Sequence, residues 1–319
     1  MLSFFRKNSF INSAMLLPYA FLLQILPILF YKSSNAFWPD APWSGLTNAI
    51  MLIVLLFILA IFINRMVIEN RLHRDIMLFP GVFFILYSAI LPEFWTNSHI
   101  LFANVFVVWS IYELFQIYKS NNPAVYIFNA ALLVGIASVI CPPCIFYLLM
   151  LLIGISNLKK TELVHIMQVM IGGIVPWFLL ITYHVWRGHP EAIISMISTH
   201  VGFSLKQIIS DHSTWYKYLS FALLVFFLLL MYNEFKKKKH IQAQKKIDIL
   251  FVALIFSILV AVFHLPSSPV NLLFAAPFVG IFVGLLFSHF KNTQWPEMIH
   301  MLLFFGIIIF QIIVFVKIG

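Results

Sequence analysis

Asp40 is the first side chain along the sequence whose setting suggests chemistry. It lies in Asn35-Ala36-Phe37-Trp38-Pro39-Asp40-Ala41-Pro42-Trp43, where two prolines stiffen the backbone and two tryptophans favour a bilayer surface. A carboxylate held there would act as a general base, or orient an acceptor, beside a lipid-borne substrate. Otherwise it is a solvated loop acid. Glu93 repeats the proline–acid–tryptophan setting in Leu91-Pro92-Glu93-Phe94-Trp95. Arg187, His189 and His264, with His200, Lys206 and His212, supply cations that would grip a lipid phosphate or pyrophosphate through charge-assisted hydrogen bonds. For Arg187 and His189, which directly follow an apolar segment, this reading and simple solvation of a long polar stretch weigh evenly; for the others solvation is the better explanation.

Other residue types point to less. Six histidines (His99, His184, His189, His200, His212 and His264) fall on one predicted face, and imidazole suits zinc and iron. His184 and His189 are five apart, off a common helix face, and HExxH is absent, so neither a metal nor a cofactor is expected. Cys141-Pro142-Pro143-Cys144 has redox spacing, but a reactive dithiol needs its first sulfur exposed at a helix N-terminus. Here the prolines break a helix between two apolar segments. Glu113, an acid near the end of a span, can snorkel to the interface.

Composition sets the frame for these side chains. Of 319 residues, 62% are hydrophobic and 10% are charged, against about 25% charged in soluble domains. A soluble fold could not cover that apolar surface. This excludes a cytosolic enzyme, a disordered regulator and a disulfide-rich secreted domain; two cysteines make no disulfide framework. A bilayer-crossing helix needs about 20 apolar residues, and eleven segments (10–12 allowing for the weak ones) qualify. They are 11–31, 46–63, 76–91, 99–118, 124–140, 143–156, 163–186, 217–235, 247–263, 269–290 and 298–318. The pair 124–140 and 143–156 is either two spans or a re-entrant pair. Continuous rather than alternating apolar runs argue against a barrel. The whole chain, 1–319, reads as a single membrane domain whose longest outer-face loop is 187–216.

Charge orients the spans. With the N-terminus inside, the inner side holds Arg6, Lys7, Arg65, Arg71, Arg74, Lys119, Lys159, Lys160, Lys236 to Lys239, Lys245, Lys246 and Lys291. That positive-inside excess explains the formal charge of +9 and removes nucleic acid as a partner. Lys236-Lys237-Lys238-Lys239 reads as a topological anchor that also attracts anionic lipid. Trp38, Trp43, Trp95, Trp186 and Trp215 then lie near the outer interface. The first span is long for a signal peptide, so cleavage at Ser34-Asn35-Ala36 is not expected.

The opening Met1-Leu2-Ser3-Phe4-Phe5-Arg6-Lys7-Asn8-Ser9-Phe10-Ile11-Asn12 resembles the start of an uncharacterised polytopic inner-membrane family of Bacteroidetes-type bacteria, some of whose members carry a carotenoid-oxygenase label. The first 190 residues also resemble the architecture of GT-C membrane glycosyltransferases. That resemblance implies a first outer loop with a catalytic acid, here Asp40, and a second short outer loop with another, here Glu93. The span from His99-Ile100-Leu101-Phe102-Ala103-Asn104 and the small-residue run Ala130 to Ser138 follow in the same order. Two departures stand out: the first loop has one acid rather than a pair, and no large C-terminal outer domain follows.

The resemblance implies an all-α, GT-C-like bundle in the bacterial inner membrane, using a polyprenyl-phosphate-linked sugar at the outer face for envelope glycan synthesis. Asp40 would activate or orient the acceptor, Glu93 would assist, and Arg187, His189 and His264 would hold the donor phosphate. Two alternatives remain: a non-catalytic subunit of an envelope assembly or export complex with a membrane protein partner, and a histidine-iron carotenoid oxygenase.

Overall fold

The computed structural model describes residues 2–30, 44–74, 76–96, 98–118, 120, 122–160, 162–203, 215–237, 239–290 and 294–318. These residues are helical apart from short connections and one isolated antiparallel bridge, Val201 to His264. The helices are α1 (Leu16–Phe30), α2 (Ser44–Glu69), α3 (Phe79–Tyr87), α4 (Ser98–Gln116), α5 (Ala124–Ile140), α6 (Tyr147–Leu158) and α7 (Leu163–Trp186). They continue with α8 (Glu191–His200), α9 (Trp215–Leu230), α10 (Ile241–Phe263), α11 (Ala276–Ser288) and α12 (Gln294–Ile318).

Among the described residues, seven stretches are long and apolar enough to cross a bilayer: Phe10–Pro27, Thr47–Glu69, His99–Gln116, Leu163–Trp186, Ile241–Phe263, Pro269–Ser288 and Gln294–Val314. Ala124–Ile140, Pro142–Leu158 and Trp215–Leu230 are apolar but shorter. The expected span 76–91 contains only α3. Its nine residues rise about 14 Å, less than half of a hydrocarbon core of about 30 Å. Helical rise, not apolar length, sets the difference: Pro80 stands at the start of α3, and beyond Tyr87 the backbone turns through Ser88 and Ala89.

Contacts gather the chain into two compact units, Met1–Leu101 with Ala276–Gly319, and Phe102–Ala275. In the first, every residue of α3 is buried. A Cβ on Gly280 would lie 2.6 Å from the Phe84 Cα, and one on Gly284 would lie 2.6 Å from the Pro80 Cα. The α3 and α11 backbones therefore touch, as small residues permit in membranes. The Asn64 side chain accepts a hydrogen bond from the Gly81 amide at 2.8 Å. That pairs one of the orphan donors at the start of α3, where Leu78 offers no side-chain cap. Nearby, the buried Tyr19 hydroxyl and His300 Nε2 are 3.0 Å apart.

In the second unit α5 packs on α7 along a glycine seam. A Cβ on Gly172 would meet the Ala131 Cβ and the Phe128 carbonyl oxygen, each at 2.8 Å; one on Gly135 would meet the Gly173 oxygen at 2.8 Å. Trp177 Nε1 donates to Ser138 Oγ at 2.7 Å and pins the seam. On neighbouring elements Ser110 donates to the Ala130 carbonyl at 2.8 Å, and Asn104 donates to the Leu273 carbonyl at 2.9 Å. These three donors thus find acceptors inside the unit, as a water-free interior favours.

Candidate functional site

Arg187 and His189 owe their placement to the glycine between them. Gly188 has φ +76°, a left-handed backbone that a side chain would disfavour. Its amide donates to the Val185 carbonyl and the His189 amide to the His184 carbonyl, both at 3.0 Å. This paired closure ends α7 and satisfies its last carbonyls. Arg187 and His189 flank the turn, both exposed. The Arg187 guanidinium sits 5.2 Å from the Tyr183 ring centre, and His189 Nδ1 is 3.5 Å from a Glu191 carboxylate oxygen. Two donors therefore project from the end of a long apolar helix, with one carboxylate beside them.

Pro190 then starts α8, inside the stretch expected as a thirty-residue loop. A proline at the helix start and Glu191 in the first turn favour that helix. None of its residues is buried; Ile194 is 72% exposed. Ser195, Ser198 and Thr199 turn their hydroxyls back onto carbonyls of the same helix at 2.7–3.0 Å. Apolar side chains outside and hydroxyls satisfied within suit a helix lying at a bilayer interface.

At the far end of α8 two histidines meet. His200 Nδ1 lies 2.8 Å from the Met196 carbonyl, which can only accept, so that nitrogen carries the proton. Leu265 donates to the His200 carbonyl at 2.9 Å, and Gly202 donates to the Phe263 carbonyl at 3.1 Å. These bonds hold the His200 and His264 rings with centroids 6.1 Å apart. Asn271 fixes the other side, its amide donating to the carbonyls of Ala261 (3.3 Å), His264 (2.9 Å) and Pro266 (3.2 Å). Phe274 packs on the His264 ring at 5.4 Å. Burial, then the neighbouring His200, push the His264 ring down to about 4, against a weaker opposing effect of Asn271. At neutral pH His264 is thus an uncharged ring, able to donate or accept a hydrogen bond without adding a cation.

The structure therefore brings Arg187 together with His189, and His264 together with His200. The two pairs stand at opposite ends of α8, on the order of 15 Å apart along the helix. Glu93 belongs to the first unit, in a 3₁₀ turn Pro92–Thr96 beside buried Phe94 and Trp95; the Trp95 indole donates to the Ala89 carbonyl at 3.1 Å. Asp40 lies outside the described residues, as do Trp38, Trp43, Lys206, Asp211 and His212. Cys141 and Cys144 are buried free thiols where α5 gives way to a 3₁₀ turn Pro142–Phe146, and burial pushes the Cys141 thiol up to about 12. That is the opposite of an activated dithiol. Among the described residues no three His, Cys, Asp or Glu side chains gather as a metal site would require.

Asn271, the residue that organises the His264 corner, was not singled out in the sequence. Its signal is weak: an amide in an otherwise apolar run, Pro269–Ala275. No family model, no curated protein and no solved structure matches the chain.

Proposed function

We propose that the chain is a GT-C-like membrane glycosyltransferase that takes a polyprenyl-phosphate-linked sugar at the outer face of the bacterial inner membrane, for envelope glycan synthesis. The observation that carries this reading is the α7–α8 turn. Arg187 and His189 project from a rigid turn at the end of a membrane-length helix and are followed by an interfacial helix. A polyprenyl phosphate has the matching form: its tail stays in the bilayer while its phosphate stops at the headgroup level. Arg187 would supply paired N–H donors and His189 a further one. Asp40 would act as base or acceptor-orienting carboxylate, with Glu93 assisting. His264, neutral as folded, would contribute a hydrogen bond rather than a charge.

Eleven spans with the N-terminus inside belong to the same proposal. That count takes the seven long helices, the three shorter apolar ones and the segment 76–91, whose helical part is only the nine-residue α3.

The test is chemical. Asp40→Asn is expected to abolish a specific envelope glycan while the protein still accumulates, and Arg187→Ala to weaken retention of a polyprenyl phosphate by purified protein. An unchanged glycan and lipid-linked-sugar profile in a clean deletion strain would sink the enzyme reading. A stable co-purifying membrane protein, with Asp40→Asn behaving as wild type, is the result expected of a non-catalytic subunit. Stoichiometric iron in the purified protein would instead favour the oxygenase.

A further inference from the structure

The second unit has a lysine-rich end, and its ammonium groups are not equivalent. Lys236 is 2.9 Å from an Asp248 carboxylate oxygen, which also accepts from the Tyr232 hydroxyl at 2.6 Å. Lys237 is 3.0 Å from a Glu234 oxygen. The lysine run that dominates the sequence is thus already matched in part by carboxylates.

Lys159 and Lys245 differ. Lys159 follows α6, and its ammonium donates to the Ser120 carbonyl at 3.4 Å. Lys245 lies in the first turns of α10, its ammonium 6.0 Å from the Tyr118 ring centre, and its own carbonyl accepts from the Asn157 amide at 3.3 Å. Two ammonium groups, one just after α6 and one from α10, therefore lie against Tyr118 and Ser120, just beyond α4. Neither has a carboxylate within ion-pair distance among the described residues. Lys160 is exposed beside them, and Lys246 is buried with its ammonium 5.3 Å from the Phe115 ring centre. The apolar runs of α4, α6 and α10 all end or begin at this level, so the site sits where lipid headgroups lie.

The geometry points to a binding site for the phosphate of an anionic membrane lipid, formed by Lys159 and Lys245 beside Tyr118 and Ser120. A carbonyl or an aromatic face holds each ammonium in place without neutralising it, and the missing counter-charge is what a phosphodiester supplies. The adjoining apolar helix ends offer the acyl chains a surface that a soluble phosphate would not use. The site involves none of the residues assigned to the glycosyl donor.

Native mass spectrometry of the full-length protein, reconstituted with phosphatidylcholine and phosphatidylglycerol and then stripped of loose lipid, tests this directly. Wild type is expected to retain phosphatidylglycerol preferentially. The double variant Lys159→Gln/Lys245→Gln should lose roughly 25-fold in that retention, at about fivefold for each ammonium removed. Lys159→Arg/Lys245→Arg should keep it, and Lys237→Gln, which removes an already paired ammonium, should leave it unchanged. Equal retention of the two lipids by wild type, or undiminished retention by the Gln variant, would overturn the site. Loss in the Arg variant as well would overturn its electrostatic basis. Displacement of the lipid by inorganic phosphate would show a soluble anion to be the ligand and overturn the lipid assignment.

Discussion

Adding one methyl group at Gly172 is expected to damage the protein, while adding the same group at Gly306 is expected to strengthen it. The Gly172 Cβ would lie 2.8 Å from both the Ala131 Cβ and the Phe128 carbonyl oxygen, and 3.2 Å from the Leu132 amide nitrogen. Ordinary contact begins near ~3.5 Å, so α5 and α7 must part by about 0.7 Å. Two of the three obstacles are backbone and cannot rotate away, which places the overpacking cost near the upper end of roughly 1–3 kcal/mol. Alanine returns about 1 kcal/mol of helix propensity, leaving Gly172→Ala about 2 kcal/mol less stable than wild type. Gly306, in α12, has no atom within 4 Å of its added Cβ, so Gly306→Ala keeps the propensity gain of about 1 kcal/mol. Gly173→Ala should fall between, because its obstacle at 2.6 Å is a Leu148 methyl that can swing aside. Reversible unfolding of the three variants in mixed micelles measures all of this. A Gly172→Ala protein as stable as wild type would refute the backbone-contact reasoning, as would a destabilised Gly306→Ala.

Two further expectations concern titration and reactivity. Because the His264 ring is held near 4 in the folded protein against 6.5 in an open chain, the unfolded state binds more protons between those values. Stability is then full above pH 6.5, falls by about 1.4 kcal/mol per unit as pH drops towards 4, and levels off below. His264→Phe should flatten that limb; an unfolding-midpoint profile with the same slope would show that another group causes it. Cys141, buried and held as a thiol, should resist maleimide in the folded protein at neutral pH and react once the protein is denatured. Rapid labelling without denaturant would contradict the burial.

The sequence reveals most where one physical signal acts alone. The segments 124–140 and 163–186 coincide with α5 and α7 because each is a continuous apolar run closed by chain breakers, Cys141-Pro142 in one case and Arg187-Gly188 in the other. α3 is less legible: an apolar run of sixteen residues suggests a span, but hydropathy does not register where the helix stops. α8 is hidden because serines and threonines make it look like loop, and their hydroxyl bonds to its own carbonyls appear only in three dimensions. The approach of His200 to His264 joins residues 64 positions apart through backbone hydrogen bonds, which leave no periodicity to read. Arg187 and His189 stand out in sequence because they directly follow the apolar run that forms α7.

α3 also sets an order of events during synthesis. Nine residues are too few to hold a place in a bilayer unaided, and the surface that covers one side of them, at Gly280 and Gly284 of α11, is made almost two hundred residues later. Until synthesis passes residue 276, α3 has α2 beside it, through Ala60 and Asn64, but neither its α11 partner nor a completed unit around it. The first unit is therefore begun first and finished last, while the second can close on its own between the two parts. A chain that stalls before residue 276 leaves the α11-facing side of α3 uncovered, giving membrane quality control a defined surface to recognise.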